Sequence, residues 1–384
     1  MAVSEDRTSP LTRRALSRLG FVAFLAACVL TACSLITSYD GLEGAPKTDS
    51  ASPDGPDSDV PDVLEAAVVP IDPCTSEGIP SAPDGGPLPG NVGRLTTAVR
   101  SIQFFDSDGG PPSGLNLDRT CGDSCTSSAQ KPPKDPPTTG IDNAAFSFLQ
   151  LLRSSGVKVD DKGFNDALKA GKWGLVLRLD GYSGTPDDDD VKLDLLNAAG
   201  VNKEDGGARL DGNDEWILDG AGIVAGVSLS RSTVAYVRGN VLVARFVRFP
   251  PTLRIAGGPG QTLVVAPELF SVTVTAKIVS YGNGGMTLTD GKLVGATAPE
   301  SFLLMLQRLG LCASDQVFPT AVDFVCDVRD LAPTLTSPVT DKCTRISMAI
   351  AFDSVPATVA LGPKVVNDTF GCDGGDPTKG CGTR

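Results

Sequence analysis

Two acidic loops carry the residues best suited to chemistry in this chain, and each follows a predicted strand. Their oxygen-bearing side chains are Asp187, Asp188, Asp189, Asp190, Asp211, Asn213 and Asp214. Calcium binds about six to eight oxygens from carboxylates and carbonyls, so these loops predict a structural Ca²⁺ site. The residue spacing of an EF-hand is absent, however. The alternative to a Ca²⁺ site is therefore that the two acidic loops are simply solvated turns. Asp106 and Asp108 form a third acidic turn.

Two aromatic residues adjoin the acidic loops and predict a ligand-binding surface. Tyr182 and Trp216 lie beside the first and second loop, where a glycan or a surface protein could bind. Trp173 is different, since it lies on the inward register of a strand and is predicted to pack in the core.

The chain contains no histidine, which excludes several kinds of active site. Ser-His-Asp and Cys-His nucleophiles, histidine bases and histidine-containing metal sites are all ruled out. A glycosidase needs only two carboxyls at a fixed separation, and Glu215, Glu268 and Glu300 are candidates for such a pair. Glu268 begins a strand and Glu300 begins a helix, however, and these structural roles suffice to explain them.

The charge of the chain is strongly acidic and excludes nucleic acid as a partner. The net charge is −13, and no Lys/Arg-rich run supplies the basic face that nucleic-acid binding requires. Eight of the 46 acidic residues are Glu and the rest are Asp, a residue that favours turns over helix interiors. This bias indicates a loop-rich β protein.

The first 32 residues have the layout of a bacterial signal peptide. A basic stretch precedes the uncharged run Gly20–Ala32, which is shorter than the roughly 20 apolar residues of a membrane span. The run ends in Leu-Thr-Ala before Cys33, a pattern similar to the lipobox at which lipoproteins are cut and lipidated. We therefore expect a lipid on Cys33 to anchor the exported chain in a membrane. Because Ser34 replaces an aspartate typical of inner-membrane retention, the outer membrane is favoured.

Eight cysteines remain once Cys28 and Cys33 are set aside, an even number that suggests up to four disulfides in an exported chain. They are Cys74, Cys121, Cys125, Cys312, Cys326, Cys343, Cys372 and Cys381. Sequence proximity favours local Cys121–Cys125 and Cys372–Cys381 bridges. Cys312, Cys326 and Cys343 are predicted to link the C-terminal helices to a strand. A four-cysteine zinc site is the alternative, although no CxxC pair is present.

Composition divides the mature chain into three parts. Residues 33–92 combine the lipidated cysteine with a Pro/Gly/Asp-rich linker that is predicted to be disordered and solvated. Residues 93–370 form the predicted globular domain, with an irregular loop at 106–140. Residues 371–384 are a Cys/Gly-rich tail.

Hydrophobic periodicity predicts a mainly β domain with three to four peripheral helices. Helices are predicted at 142–155, 164–170, from Pro299 and from Pro319. Period-two alternation predicts about nine strands, and the turns Gly239-Asn240 and Asp290-Gly291 predict two hairpins. An antiparallel β-sandwich or jelly roll, with the helices at one edge, fits this order best.

Several short segments resemble an uncharacterised family of secreted proteins and lipoproteins from myxobacteria and related Deltaproteobacteria. They are Cys33–Leu42, Gly140–Ala144, Leu177–Gly184 running into the acidic loop, and Ala235–Ala244. The family has no assigned activity, so the resemblance implies a location and a fold. We accordingly expect a membrane-tethered lipoprotein with a non-catalytic binding or structural role at the cell surface. A histidine-free, carboxylate-dependent hydrolase of polysaccharide is the alternative.

Overall fold

Strands with alternating apolar and polar residues make up most of the folded chain. The structure is a computed structural model that describes residues 79–84, 93–104, 114–120, 125, 140–154, 160–203, 207–256, 262–282, 285–308, 312, 314–315, 318–335, 341–363 and 381. These residues lie in one unit, Ala66–Arg384. The predicted signal peptide, Cys33 and most of the predicted linker lie outside the described residues.

Fourteen strands and four helices occur in the described part of the chain. The strands are β1 (Leu95–Gln103), β2 (Gly174–Asp180), β3 (Lys192–Val201), β4 (Glu215–Leu218), β5 (Ile223–Val224), β6 (Val227–Ser228), β7 (Val234–Arg238), β8 (Val241–Phe249), β9 (Leu253–Ala256), β10 (Thr262–Val265), β11 (Leu269–Tyr281), β12 (Gly285–Thr297), β13 (Ile346–Pro356) and β14 (Thr358–Leu361). The helices are α1 (Ala144–Ser154), α2 (Asp161–Lys169), α3 (Pro299–Arg308) and α4 (Phe318–Asp327).

Ten of the strands join in one sheet, in the order β14-β4-β3-β2-β1-β13-β12-β11-β8-β7. Its neighbouring strands are antiparallel except β14 and β4, which are parallel. Two small antiparallel pairs, β9–β10 and β5–β6, stand apart from this sheet. The mainly β prediction and the number of helices are therefore confirmed. The described strands do not divide into the two facing sheets of a sandwich, because ten of them share one sheet.

The large sheet curls until its β7 end returns to β3. Leu195 N donates to Ser230 O at 3.0 Å, and Ser232 N donates to Leu193 O at 2.8 Å. Asp188 and Val237 exchange a further pair of backbone hydrogen bonds. The segment that leads into β7 thus satisfies backbone groups on the half of β3 that β4 leaves unpaired.

The main core forms on one face of the curled sheet, where the inward side chains of β2, β3, β11, β12 and β13 meet the helices. Phe148 of α1 contacts Phe302 of α3 and Phe324 of α4, with ring centroids 5.4 and 5.9 Å apart. The side chain of Asp160 caps α2 by accepting a hydrogen bond from Gly163 N at 2.7 Å. Trp173 is buried in this core, as its register predicted.

The two predicted hairpin turns have different outcomes. Gly239 and Asn240 both adopt positive φ and join β7 to β8, which confirms the first turn. The second prediction is wrong, because β12 runs without a break through Asp290 and Gly291. Asp290 has φ +49° and lies where the register with β11 shifts, so the pair forms a bulge within a long strand.

A second, smaller apolar cluster covers the opposite face of β12 and β13. It contains Leu115, Leu117, Val294, Ala296, Leu331 and Ala349, and Ile79 and Leu335 pack against it. Ile79 and the neighbouring Pro80 belong to the segment predicted to be a solvated linker. At these two residues that prediction is wrong, because the segment packs on the domain.

Candidate functional site

A cleft of about 650 Å³ opens on the face of the sheet that carries the smaller cluster. Strands β1, β13, β12 and β11 contribute most of its floor. We call it the Lys292 cleft and define it by its lining residues: Ile79, Pro80, Ser101, Gln103, Leu115, Val241, Thr275, Ala276, Lys277, Asp290, Gly291, Lys292, Ala351, Phe352 and Asp353. Clefts that combine apolar walls with a few convergent polar groups are the usual places where ligands bind.

Strand register determines which polar groups meet in the cleft. Gln103 of β1 pairs with Ala351 of β13, which pairs with Lys292 of β12, which in turn pairs with Thr275 of β11. Because side chains of paired residues project to the same face, these four form a row across the floor. The row places an amide, an ammonium and a hydroxyl side by side.

The bulge at Asp290 brings a second set of charges to the same floor. Asp290 Oδ2 accepts a hydrogen bond from Lys277 Nζ at 2.9 Å. The backbone N–H of Asp290 donates to Asp353 Oδ1 at 3.1 Å, and the other oxygen of Asp353 lies 3.8 Å from Arg100 Nη2. Bulges commonly redirect a side chain next to a binding site, and this one directs Asp290 toward Lys277.

Lys292 is the charge that this arrangement leaves available. Each of the two acids in the cleft lies within 4 Å of a cation, Lys277 or Arg100. Lys292 is half-buried and forms no ion pair with any residue that the structure describes. An ammonium that is partly shielded from water interacts more strongly with an anion than a fully solvated one does. The cleft is therefore suited to a ligand with an anionic group.

The first acidic loop is engaged in internal contacts. Asp188 is buried, and its carboxylate accepts hydrogen bonds from Ser183 N at 2.6 Å and Asp190 N at 3.1 Å. Asp187 accepts one from Gly239 N at 2.8 Å and so holds the β7–β8 turn. Asp189 is half-buried, and one of its carboxylate oxygens has no hydrogen-bond partner.

The second acidic loop is organised around Asp214, which is almost fully buried. Its carboxylate accepts hydrogen bonds from Lys203 Nζ at 2.7 Å, Leu210 N at 2.6 Å and Arg209 N at 3.1 Å. Burial on its own would raise the pKa of Asp214, but Lys203 and the two backbone N–H groups outweigh it and lower that pKa. Asp211 accepts from Asn213 N in a local turn.

The calcium prediction finds no support in these two loops. Nowhere in the described ranges do three or more acidic or cysteine side chains converge as metal ligands. The aspartates instead stabilise turns and strand ends by accepting backbone N–H groups. The third turn, at Asp106 and Asp108, lies outside the described residues.

The predicted aromatic ligand surface is wrong. Trp216 is 0% exposed and Tyr182 is 3% exposed, so neither ring can meet a ligand from solvent. The sequence placed both beside polar loops, but both rings belong to the main core. Trp216 packs over Gly174 of β2, and the first loop is joined to Val237 of β7 through Asp188. Burial raises the pKa of the Tyr182 phenol, and the carboxylate of Asp188 adds to this shift.

The glutamates considered for a glycosidase pair do not line the cleft. Glu215 accepts a hydrogen bond from Asn202, Glu268 pairs with Arg248 at 3.2 Å, and Glu300 lies in the first turn of α3. The structural roles inferred for these residues are sufficient to explain where they lie.

Two disulfides connect distant parts of the chain. Cys125 is bonded to Cys343, and Cys326 is bonded to Cys381. The local pairs predicted for Cys125 and Cys381 are therefore wrong, because the fold brings partners together that are 218 and 55 residues apart. Cys312 is also disulfide-bonded. Cys74, Cys121 and Cys372 lie outside the described residues. Disulfides of this kind are typical of proteins in oxidising, extracytoplasmic compartments.

The cleft itself was missed in the sequence because its residues come from five strands and from two segments outside them. A signal was nevertheless present, since Asp290-Gly291 interrupts an apolar alternation that continues on both sides.

Among the described helices, none is long and apolar enough to cross a bilayer.

No protein-family model matches the chain. Comparisons of the chain with curated proteins and with solved structures also found no match. The resemblance to myxobacterial secreted proteins and lipoproteins therefore stays a prediction that rests on the quoted segments.

Proposed function

We propose that this protein is a membrane-tethered extracytoplasmic lipoprotein that binds an acidic segment of a partner surface protein in the Lys292 cleft. The observation that carries the binding role is the half-buried Lys292, which pairs with no acid in the described part of the chain. The sequence before Cys33 supports the tether, and the disulfides fit an oxidising compartment. The binding role is a non-catalytic one.

The lining of the cleft favours a polypeptide over a carbohydrate. Sugar-binding sites commonly present an aromatic face, but the aromatic side chain in this cleft, Phe352, is buried. Ile79, Pro80 and Val241, which are each partly exposed, offer aliphatic contacts beside Lys292. An acidic peptide with aliphatic side chains matches both features, because its carboxylate would meet the ammonium while its apolar groups meet the walls.

Substitution of Lys292 tests the binding role. The mature protein would be screened against an array of acidic peptides and an array of acidic glycans, and Lys292→Met would be compared with Lys192→Met. Lys192 is an exposed lysine of β3 and serves as the matched control. Because a hydrogen bond to a charged group contributes about 1.5–3 kcal/mol, Lys292→Met should lower affinity for acidic peptides by about 10- to 100-fold. Equal affinity in the two variants would refute the proposal, and binding restricted to glycans would replace its ligand class.

Substitution of Cys33 tests the tether separately. In a bacterial host that lipidates exported proteins, the wild-type chain should partition into detergent and carry a diacylglyceryl group on Cys33. Cys33→Ser should lose the diacylglyceryl group, because the thioether that carries the lipid cannot form. Cys28→Ser is the matched control, since it changes a cysteine inside the apolar run. A diacylglyceryl group recovered on the Cys33→Ser protein would argue against Cys33 as the lipid anchor.

A further inference from the structure

Ile79 and Pro80, in the segment 79–84, contribute a wall of the Lys292 cleft although they precede the first strand of the sheet. Ile79 is half-buried against the smaller apolar cluster, and Pro80 lines the cleft beside it. The carbonyl of Pro80 accepts a hydrogen bond from the phenol of Tyr236. The wall is thus held to the sheet by one apolar side chain and one hydrogen bond that the structure describes.

Tyr236 is well placed to hold this segment. It lies on β7, is buried, and pairs in register with Val243 of β8. A buried phenol needs a hydrogen-bond partner, and here the partner comes from outside the sheet. The donor, the Tyr236 phenol, is therefore held in place by the sheet. The acceptor, the Pro80 carbonyl, belongs to the segment 79–84.

The position of this segment in the chain gives the contact a consequence. Cys33 precedes residues 79–84, and β1 follows them. Because the segment lies outside every strand of the sheet, its release from the cleft leaves the described strand pairing intact.

We propose that residues 79–84 act as a strap that completes the Lys292 cleft and raises its affinity for an acidic peptide. This inference rests on the proposed function. With the strap seated, Ile79 and Pro80 shield one side of the cleft and strengthen the attraction between Lys292 and a carboxylate. With the strap released, that side opens to water and the attraction weakens.

The test follows the strap and the cleft separately by methyl NMR of the full mature protein. The Ile79 methyl resonance reports the strap, and the methyl resonances of Val241 and Ala351 report the cleft. The probe is a hexapeptide of alternating Glu and Val. In the wild type, its addition should shift all three resonances.

Tyr236→Phe removes the hydrogen bond to Pro80 and keeps the ring. Tyr281→Phe is the matched control, because it removes a similar bond to the Asp211 carbonyl, 3.1 Å long, away from the strap. Tyr236→Phe should move the Ile79 resonance toward its value in an unstructured peptide and weaken peptide binding about tenfold. Tyr281→Phe should do neither. Ile79→Ser, outside the sheet, should weaken binding similarly without unfolding the domain.

Two results overturn the inference in distinguishable ways. If Tyr236→Phe releases the strap but binds the peptide as tightly as the wild type, the strap has no role in the cleft and the proposed function stands. If the peptide shifts neither Val241 nor Ala351 in the wild type, the proposed function and the strap's coupling to it both fail.

Discussion

The indole ring of Trp216 packs directly over Gly174, so closely that no other residue type fits at that position. A Cβ atom on Gly174 would lie 2.5 Å from Cζ3 and 2.6 Å from Cε3 of the Trp216 ring. Real Cβ atoms do not approach a ring carbon so closely. The glycine of β2 therefore makes the space that buries the tryptophan of β4.

Gly174→Ala should consequently destabilise the protein by about 1–3 kcal/mol, the usual cost of overpacking a core. The free energy of unfolding in urea would measure the loss. Gly222→Ala is the matched control, because a Cβ there meets nothing within 4 Å. A stability loss of the same size in both variants would show that the contact with Trp216 is not the cause.

Asp194 is held by two arginines in the interior and should be essential for stability. Its carboxylate is fully buried and accepts from Arg178 Nε at 3.0 Å and Arg231 Nε at 2.7 Å. Asp194→Asn would leave the buried Arg178 guanidinium without its counter-charge, while Arg231 would keep its pair with Asp180 at 2.9 Å. Breaking a buried pair in this way costs about 3–5 kcal/mol. Denaturant unfolding would measure this loss. Lys162→Ala, which removes an exposed pair with Asp166, should have no measurable effect.

Asp330 should make stability depend on pH. It is buried, and burial raises the pKa of its carboxyl to about 7, although the hydroxyl and N–H of Ser347 act in the opposite direction. In the unfolded chain its pKa is about 3.9. Between these values the folded protein binds a proton that the unfolded chain has released. This group therefore stabilises the fold most below pH 4, and its contribution falls as the pH rises to about 7.

Asp330→Asn tests this dependence because the amide resembles the protonated carboxyl. Near pH 4 the variant and the wild type should have similar free energies of unfolding. As the pH rises toward 7 the variant should become the more stable of the two by up to a few kcal/mol. Melting curves collected across this range would provide the comparison, and a constant difference at every pH would contradict the assignment.

The long-range disulfides should contribute to stability in the order of their loop lengths. Cys125–Cys343 closes a 218-residue separation and Cys326–Cys381 closes one of 55. Replacing both members of the longer bridge by Ser should cost roughly 2–5 kcal/mol, and the shorter bridge about 1 kcal/mol less, if the loss is mainly chain entropy. Protease digestion without reductant, followed by mass spectrometry, should recover both linked peptide pairs. Recovery of a Cys121–Cys125 peptide would contradict the connectivity.

The sequence predicts local structure well where the deciding pattern is itself local. The alternation in β2 and β11, the helical spacing in α1 and the Gly239-Asn240 turn each involve neighbours in the chain. Asp290-Gly291 shows the limit of such reasoning. The same dipeptide suits a hairpin turn or a bulge, and only the pairing of β12 with strands on both sides decides between them.

The candidate site was harder to predict because it depends on register. Gln103, Thr275 and Lys292 are far apart in the chain, and only the pairing of four strands places them in one row. The burial of Trp216 could not be predicted for the same reason. Its polar neighbours in the sequence suggest exposure, whereas its burial depends on Gly174, two strands away in the sheet.

The place of β1 in the sheet also governs how the chain must fold as it is made. β1 lies between β2 and β13, and β13 ends at Pro356, close to the end of the chain. A growing chain therefore carries one open edge of β1 until almost the whole domain has emerged. Contacts between such distant segments form slowly, and an open strand edge is a template for aggregation. A chaperone that covers this edge of β1 would protect the chain until β13 has emerged.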